Sequence, residues 1–125
     1  MSPVRAFIVE DNPVILKDLI ATLEELTPVR VVGSARTEAD AVRELEARRE
    51  DLDLVIVDIF LASGSGLGVL ARAQALNLPM RRVVLTNYPS PDMRRRCADL
   101  GADQLFDKSR ELDELITYCE AMPGA

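Results

Sequence analysis

Glu10, Asp11, Asp58, Thr86 and Lys108 are the residues of this chain whose types and spacing could do chemistry together. Each follows a short apolar run: the acidic pair comes after Val4 to Val9, Asp58 after Leu54-Val55-Ile56-Val57, Thr86 after Val83-Val84-Leu85, and Lys108 closely after Leu105-Phe106. Three carboxylates brought together repel one another and resist ionisation unless a cation is present. A hard divalent ion such as Mg²⁺, held by one or two carboxylates, a carbonyl and water, resolves that conflict. With the metal and Lys108 covering its charge, the Asp58 carboxylate can attack phosphorus and form an acyl phosphate. The Lys108 ammonium and the Thr86 hydroxyl can then bind the phosphoryl oxygens. Any one of these residues alone reads more simply as a helix cap or strand end. Their joint placement is what points to a site.

The chain contains no histidine. Ser-His-Asp hydrolysis, Cys-His proteolysis, zincin-type metal binding and phosphotransfer on a histidine of this chain are therefore excluded. Carboxylates, hydroxyls and lysine must carry whatever chemistry occurs.

Such residues converge only if the elements before them lie side by side. The run Val4–Val9 predicts a buried strand, and Asn12 with Pro13 predicts a helix start lined by Leu16, Leu19, Ile20, Leu23 and Leu26. A second strand is expected at Val29 to Gly33. A helix follows, opened by Thr37 with Asp40 in the capping-box position and with Val42 and Leu45 on its inner face. Leu54 to Val57, short and β-branched, reads as a central strand covered on both faces. The stretch Ala62 to Gly68, with three glycines and two serines, reads as a mobile loop before a helix containing Leu67, Leu70 and Ala71. Ser90-Pro91 opens a helix with Met93, Cys97 and Leu100 inward and Gly101 as terminator; Leu112, Leu115, Ile116 and Cys119 line the last helix. Five strands alternating with five helices predict an α/β fold, a parallel sheet with helices on both faces. Ligands of such sheets bind at the carboxyl ends of the strands, where the five polar residues stand.

At 125 residues and 48% hydrophobic content, the chain fits one domain, residues 1–125, with no room for a second output module. A net charge of −6 argues against unassisted binding to nucleic acid or to anionic membranes. Met1-Ser2-Pro3 leads directly into a strand-like run and no segment approaches membrane-spanning length, so a cytoplasmic protein is expected. Cys97 and Cys119 fall on apolar helical stripes without neighbouring ligands and read as buried thiols. Pro123-Gly124-Ala125 reads as a natural ending.

From Val4 to about Met122 the sequence resembles the receiver domain of two-component response regulators. Val9-Glu10-Asp11-Asn12 is similar to the family's metal-binding acidic pair. Val57-Asp58-Ile59-Phe60-Leu61 with Ser65-Gly66-Leu67 is similar to its phosphorylation strand and loop. Leu85-Thr86 resembles the switch hydroxyl, and Gly101-Ala102-Asp103 through Asp107-Lys108 the approach to the lysine. The resemblance implies a doubly wound, flavodoxin-like and CheY-like fold with strand order 2-1-3-4-5. It implies Mg²⁺ bound by Asp11, Asp58 and the Phe60 backbone carbonyl, with Glu10 acting through water. It implies a phosphoryl donor, a phosphohistidine on a sensor histidine kinase or a histidine phosphotransfer protein. Output would pass to an unidentified protein partner or along a phosphorelay, from a monomer or weak dimer acting as a signalling domain rather than an enzyme.

Two features depart from the family pattern, and two others bear on how the site and surface would work. Ser109 stands where many receivers have proline after the lysine, so a trans or rearranged link is expected, with Ser109 capping the last helix and Glu111 favouring its positive end. Leu105 stands where the switch aromatic lies, and the adjacent Phe106 reads as core. Phe60 and Tyr88, two positions after Asp58 and Thr86, are expected to flank the site and exclude water, or else to be exposed loop aromatics or a partner contact. Arg94-Arg95-Arg96 reads first as a solvated face and second as a partner surface. Two other functions fit less well. A pseudo-receiver would bind partners without phosphorylation. A haloacid-dehalogenase-type phosphatase would need a second Asp where Phe60 stands and a nucleophile on the first strand.

Overall fold

Apolar runs bounded by polar turns become five strands, and amphipathic stretches between them become five helices. A computed structural model describes residues 3–123. Met1-Ser2 and Gly124-Ala125, parts of the expected start and ending, lie outside the described residues. The order is β1 (Val4–Val9), α1 (Pro13–Leu26), β2 (Val29–Ala35), α2 (Glu38–Ala47), β3 (Leu54–Val57), α3 (Gly66–Ala75), β4 (Arg81–Thr86), α4 (Pro91–Asp99), β5 (Gln104–Asp107) and α5 (Leu112–Ala121). All pairings are parallel, in the order β2-β1-β3-β4-β5, which is the expected 2-1-3-4-5 arrangement.

Side chains of a strand alternate between faces, and that alternation divides the core. Ala6, Ile8, Leu54, Ile56, Val83 and Leu85 pack with Leu19 and Leu23 of α1 and with Leu115 and Cys119 of α5. Phe7, Val9, Val55 and Val57 face the other way, toward Ala41 and Leu45 of α2 and Val69 and Ala73 of α3. A third cluster joins Ile59, Leu70 and Val84 to Cys97 of α4. Buried apolar area of this kind, worth about 25 cal/mol per Å², is what fixes which strand end lies beside which.

Several local expectations hold. Asn12 caps α1, its side-chain oxygen accepting from the N–H groups of Val14 (2.9 Å) and Ile15 (3.1 Å). Thr37 caps α2 through the Asp40 N–H (3.2 Å), though the Asp40 carboxylate pairs with Arg43 instead of reaching back, so only half of the capping box forms. Both cysteines are free and buried; burial pushes the Cys119 thiol up to about 12 and raises Cys97 too.

Other expectations are corrected. Leu26, at the end of α1, is exposed, and Ala41 joins Leu45 on the buried face of α2 while Val42 is only half-buried. The glycine-rich stretch does not run to Gly68 as a loop. Ser65 caps α3 by accepting the Leu67 N–H (3.0 Å), so the helix starts at Gly66. Ser109 does not cap α5 either, because the helix begins at Leu112 with Glu111 in the cap position. Among the described residues, no helix is long and apolar enough to cross a membrane.

Candidate functional site

Strand register determines which polar residues meet. Val9 pairs with Val57, and the Asp58 N–H continues the ladder to the Val9 carbonyl (2.9 Å). Glu10 and Asp58 therefore leave the sheet side by side. They do so between β1 and β3, where the chain winds outward in both directions and a crevice must open. On the far side, Thr86 pairs with Asp107, and the Lys108 N–H donates to the Thr86 carbonyl (2.8 Å). Lys108 is rooted beyond the edge strand, two strands from Asp58, but its side chain spans the gap. Its Nζ donates to Glu10 Oε1 at 2.5 Å and to Asp58 Oδ2 at 3.1 Å.

Among the described residues, the buried polar ones are Glu10, Asp58 and Thr86, at 2%, 9% and 0% exposure. Burial of carboxylates is costly without compensation, so their clustering at one strand edge marks a site rather than a surface accident. Glu10 is satisfied on both oxygens: Oε1 takes Lys108 and Oε2 takes the Asn12 N–H (3.1 Å). Asp58 Oδ1 receives only a long contact from the Phe60 N–H (3.4 Å). Burial pushes the Lys108 ammonium down, but the Glu10 hydrogen bond and the Asp58 charge outweigh it, and its pKa is raised overall. Lys108 is thus held as a cation between two anions.

Oxygens of Glu10, Asp11 and Asp58 lie within 4.8 Å of one another, and the Asp11 carboxylate has no hydrogen bond or ion pair among the described residues. Three carboxylates facing one ammonium, with one acid unpartnered, are a donor set that suits a hard divalent cation. Asp11 is held by its backbone, whose carbonyl accepts from Arg36 Nε (3.3 Å).

Thr86 ends β4 fully buried. Its hydroxyl accepts the Tyr88 N–H (3.2 Å), and it makes no hydrogen bond to Asp58 or the Lys108 side chain. Phe60 and Tyr88 follow Asp58 and Thr86 on adjacent loops, where their rings meet edge to face with centroids 5.1 Å apart. Both are largely exposed. Such a pair contributes about 0.5–1.5 kcal/mol beyond its buried area. It clips together the two loops whose N–H groups contact Asp58 and Thr86.

The turn after Lys108 contains no cis peptide, as none occurs among the described residues. The Ser109 N–H and hydroxyl both donate to Asp107 Oδ1 (2.8 and 2.7 Å), and these bonds hold the Asp107 carboxyl below its usual range. Ser109 does not cap α5, because that helix begins at Leu112 and its N-cap position is taken by Glu111, two residues later, with no side-chain capping bond. Leu105 points to the α4 side and Phe106 to the α5 side, its ring edge-on to Tyr118 with centroids 6.0 Å apart. Phe106 is core, as expected, and no ring of β5 lies on the α4 side.

Two supports of the site escaped sequence reading. Gly66 packs against the chain leaving β3; a Cβ there would overlap the Asp58 carbonyl oxygen and the Ile59 Cα. Glu38 crosses from the start of α2 to accept the Ser65 N–H (2.9 Å), filling the space left by Gly64 and Gly68. The glycine spacing signals a close approach, but nothing in the sequence names the partner.

A family model described as the response regulator receiver domain matches residues 6–120. The Bordetella pertussis protein BvgA, whose name describes a transcription regulator of virulence factors, is 34% identical over 118 residues, covering 94% of this chain and 55% of BvgA. The chain spans about half the length of several curated relatives it matches. Among solved structures, the phosphorylated cyanobacterial phytochrome response regulator RcpA is 26% identical with a TM-score of 0.77, covering 95% of this chain and 90% of that one. The CheX–CheY complex with BeF3 and Mg from Borrelia burgdorferi shares the fold, with a TM-score of 0.80 at 17% identity and coverage of 94% and 90%.

Proposed function

The chain belongs to the response regulator receiver family, whose members are signalling modules and not catalytic enzymes, and on that premise we propose that Asp58 is its phosphoacceptor. The observation that carries this reading is the Lys108 ammonium shared between Glu10 and Asp58 at the switch point of the sheet. A receiver implies a histidine kinase partner. Here the donor is a phosphohistidine on a sensor kinase or a histidine phosphotransfer protein, in the cytoplasm. The phosphorylated domain, acting alone or within a longer regulator, changes its binding to a partner protein or passes the phosphoryl group on.

Receiver domains bind Mg²⁺, and in this chain Asp11, Asp58 and the Phe60 carbonyl would hold it, with Glu10 beside them. When bound, the ion neutralises the carboxylates and the charge on the phosphoryl oxygens. The chain's own residues do the rest. An Asp58 carboxylate oxygen attacks phosphorus, the P–N bond of the donor breaks, and its electron pair returns to the imidazole nitrogen, leaving an acyl phosphate on Asp58. Lys108, already a cation beside Asp58, moves its hydrogen bond to a phosphoryl oxygen, and the buried Thr86 hydroxyl supplies a second donor. Phe60 and Tyr88, packed edge to face at the mouth, limit water reaching the acyl phosphate.

Incubation with Mg²⁺ and acetyl phosphate, followed by intact-mass measurement, tests the assignment. The parent gains one phosphoryl group and Asp58→Ala gains none. An unchanged parent mass across small phosphodonors refutes it, and steady phosphate release from general phosphomonoesters points to a phosphatase.

A further inference from the structure

Lys108 reaches across two strands to Asp58, so the accuracy of its ammonium depends on the turn that roots it. That turn carries Ser109 and no proline, and hydrogen bonds fix it instead. Glu111 Oε1 accepts the Asp107 N–H (3.0 Å), while the Glu111 N–H returns to the Asp107 carbonyl (2.8 Å). The same Oε1 accepts from Arg94 Nη2 of α4 at 3.3 Å, and Arg94 Nη1 donates to the Leu105 carbonyl of β5 at 3.4 Å. One guanidinium thus ties α4 to the strand before Lys108 and to the carboxylate that closes the turn around it. Among the described residues, Arg95 and Arg96 make no side-chain hydrogen bond, which separates Arg94 from the rest of the basic run.

We propose that Glu111 and Arg94 are positioning residues for Lys108, linking the α4 surface to phosphoryl transfer at Asp58. The inference rests on the reading of Asp58 as phosphoacceptor. A charged group must be held within about 0.5 Å of its working place for its full effect. Leu105 leaves β5 without a ring on the α4 side, and the Arg94 bridge connects these elements through its carbonyl instead. Thermodynamic coupling is reciprocal, so a change in Lys108 on phosphorylation also loosens or tightens Arg94.

The test measures phosphorylation of the full chain by acetyl phosphate with Mg²⁺, separating the saturating rate from the half-saturating donor concentration. An exposed ion pair is worth up to about 1 kcal/mol, so Arg94→Ala lowers the saturating rate by about two- to fivefold, with half-saturation unchanged. Glu111→Ala, which also removes the acceptor for the Asp107 N–H, lowers it by about three- to tenfold. Arg94→Lys recovers part of the loss, Arg95→Ala matches the parent, and the loss in Arg94→Ala/Glu111→Ala is smaller than the product of the two single losses. Thermal unfolding of each variant identifies any that lose the fold, and Glu111→Gln, which keeps an acceptor oxygen, substitutes for one that does. Rates of Arg94→Ala and Glu111→Ala equal to that of Arg95→Ala, or fully multiplicative effects in the double variant, overturn the inference. If the parent itself gains no phosphoryl group, the Asp58 reading fails and this inference fails with it.

Discussion

Lys108→Ala should destabilise the metal-free protein, although lysines on protein surfaces are usually replaced at little cost. The Lys108, Glu10 and Asp58 side chains are only 12%, 3% and 11% exposed. Removing the ammonium leaves the Glu10 and Asp58 carboxylates without their partner, with oxygens within 4.8 Å of each other and of Asp11. At an effective dielectric constant near 20, unit charges at that distance repel by about 3.5 kcal/mol. Breaking a buried ion pair by deleting one partner costs about 3–5 kcal/mol. The crevice is open to water, so we expect a loss of about 2–3 kcal/mol at neutral pH. Since the Lys108 pKa is raised above its ordinary 10.5, its contribution is full below that value and disappears as pH rises through the higher folded value. Asp58→Asn in the Lys108→Ala background removes the repulsion and should recover most of the loss, a coupling that only neighbours show. The measurement is urea unfolding followed by circular dichroism, with chelator and then with added Mg²⁺. A cation that binds only the folded state stabilises it, and Lys108→Ala should gain more than the parent. Equal urea midpoints for parent and Lys108→Ala in chelator, or no recovery in the double variant, would refute the electrostatic argument.

Phe60→Asn and Tyr88→Ala should each speed loss of phosphate from phosphorylated Asp58, and the double variant should do little more than either alone, because the rings act as one pair. Decay followed by intact mass checks this; unchanged lifetimes would remove the shielding role. Gly66→Ala should cost about 1–3 kcal/mol in a urea titration, since the new methyl meets backbone rather than a yielding side chain. Ser109→Ala removes one of the bonds that depress the Asp107 pKa, which should rise toward 3.8 in an NMR titration. Because Asp107 is depressed, its contribution to stability is present above 3.8 and lost as pH falls through the folded value, and Ser109→Ala should lessen that loss.

The fold was legible because its signals repeat. Apolar runs such as Leu54 to Val57 and helical stripes such as Leu16, Leu19 and Leu23 recur in alternation, and only a parallel, two-sided sheet buries them all. The site residues were legible for a related reason: in such a sheet every strand delivers its next polar residue to the same edge, so Glu10, Asp11, Asp58 and Lys108 had to converge. What escaped were interactions between elements distant in sequence whose side chains could have gone elsewhere. Glu38 could have stayed in solvent, yet the space beside Gly64 and Gly68 admits its carboxylate to the Ser65 N–H. The expected Ser109 cap failed because the Ser109 N–H and hydroxyl bonds to Asp107 extend the turn and α5 starts only at Leu112, with Glu111 in the cap position.

Leu105 and Ser109 together suggest how a readout can be arranged without a moving ring or a proline-locked turn. A ring between β4 and α4 would respond to Thr86; here Thr86 is sealed at 0% exposure, its hydroxyl accepting the Tyr88 N–H and keeping its own proton free to donate. A shift of Thr86 toward a phosphoryl group therefore pulls on the Tyr88 N–H, and through it on the ring packed against Phe60 and on the loop that leads into Ser90 and α4. The Ser90 N–H donates to the Tyr88 carbonyl (3.0 Å), so the cap of α4 is joined to the same movement. On the other side of the crevice, Lys108 connects through Asp107 and Glu111 to Arg94, one turn into the same helix. Both ligands expected for the phosphoryl group thus lead to α4, one to its first residues and one to its side. A phosphorylated protein whose α4 amides exchange no differently from those of the unmodified protein would show that neither connection transmits the signal.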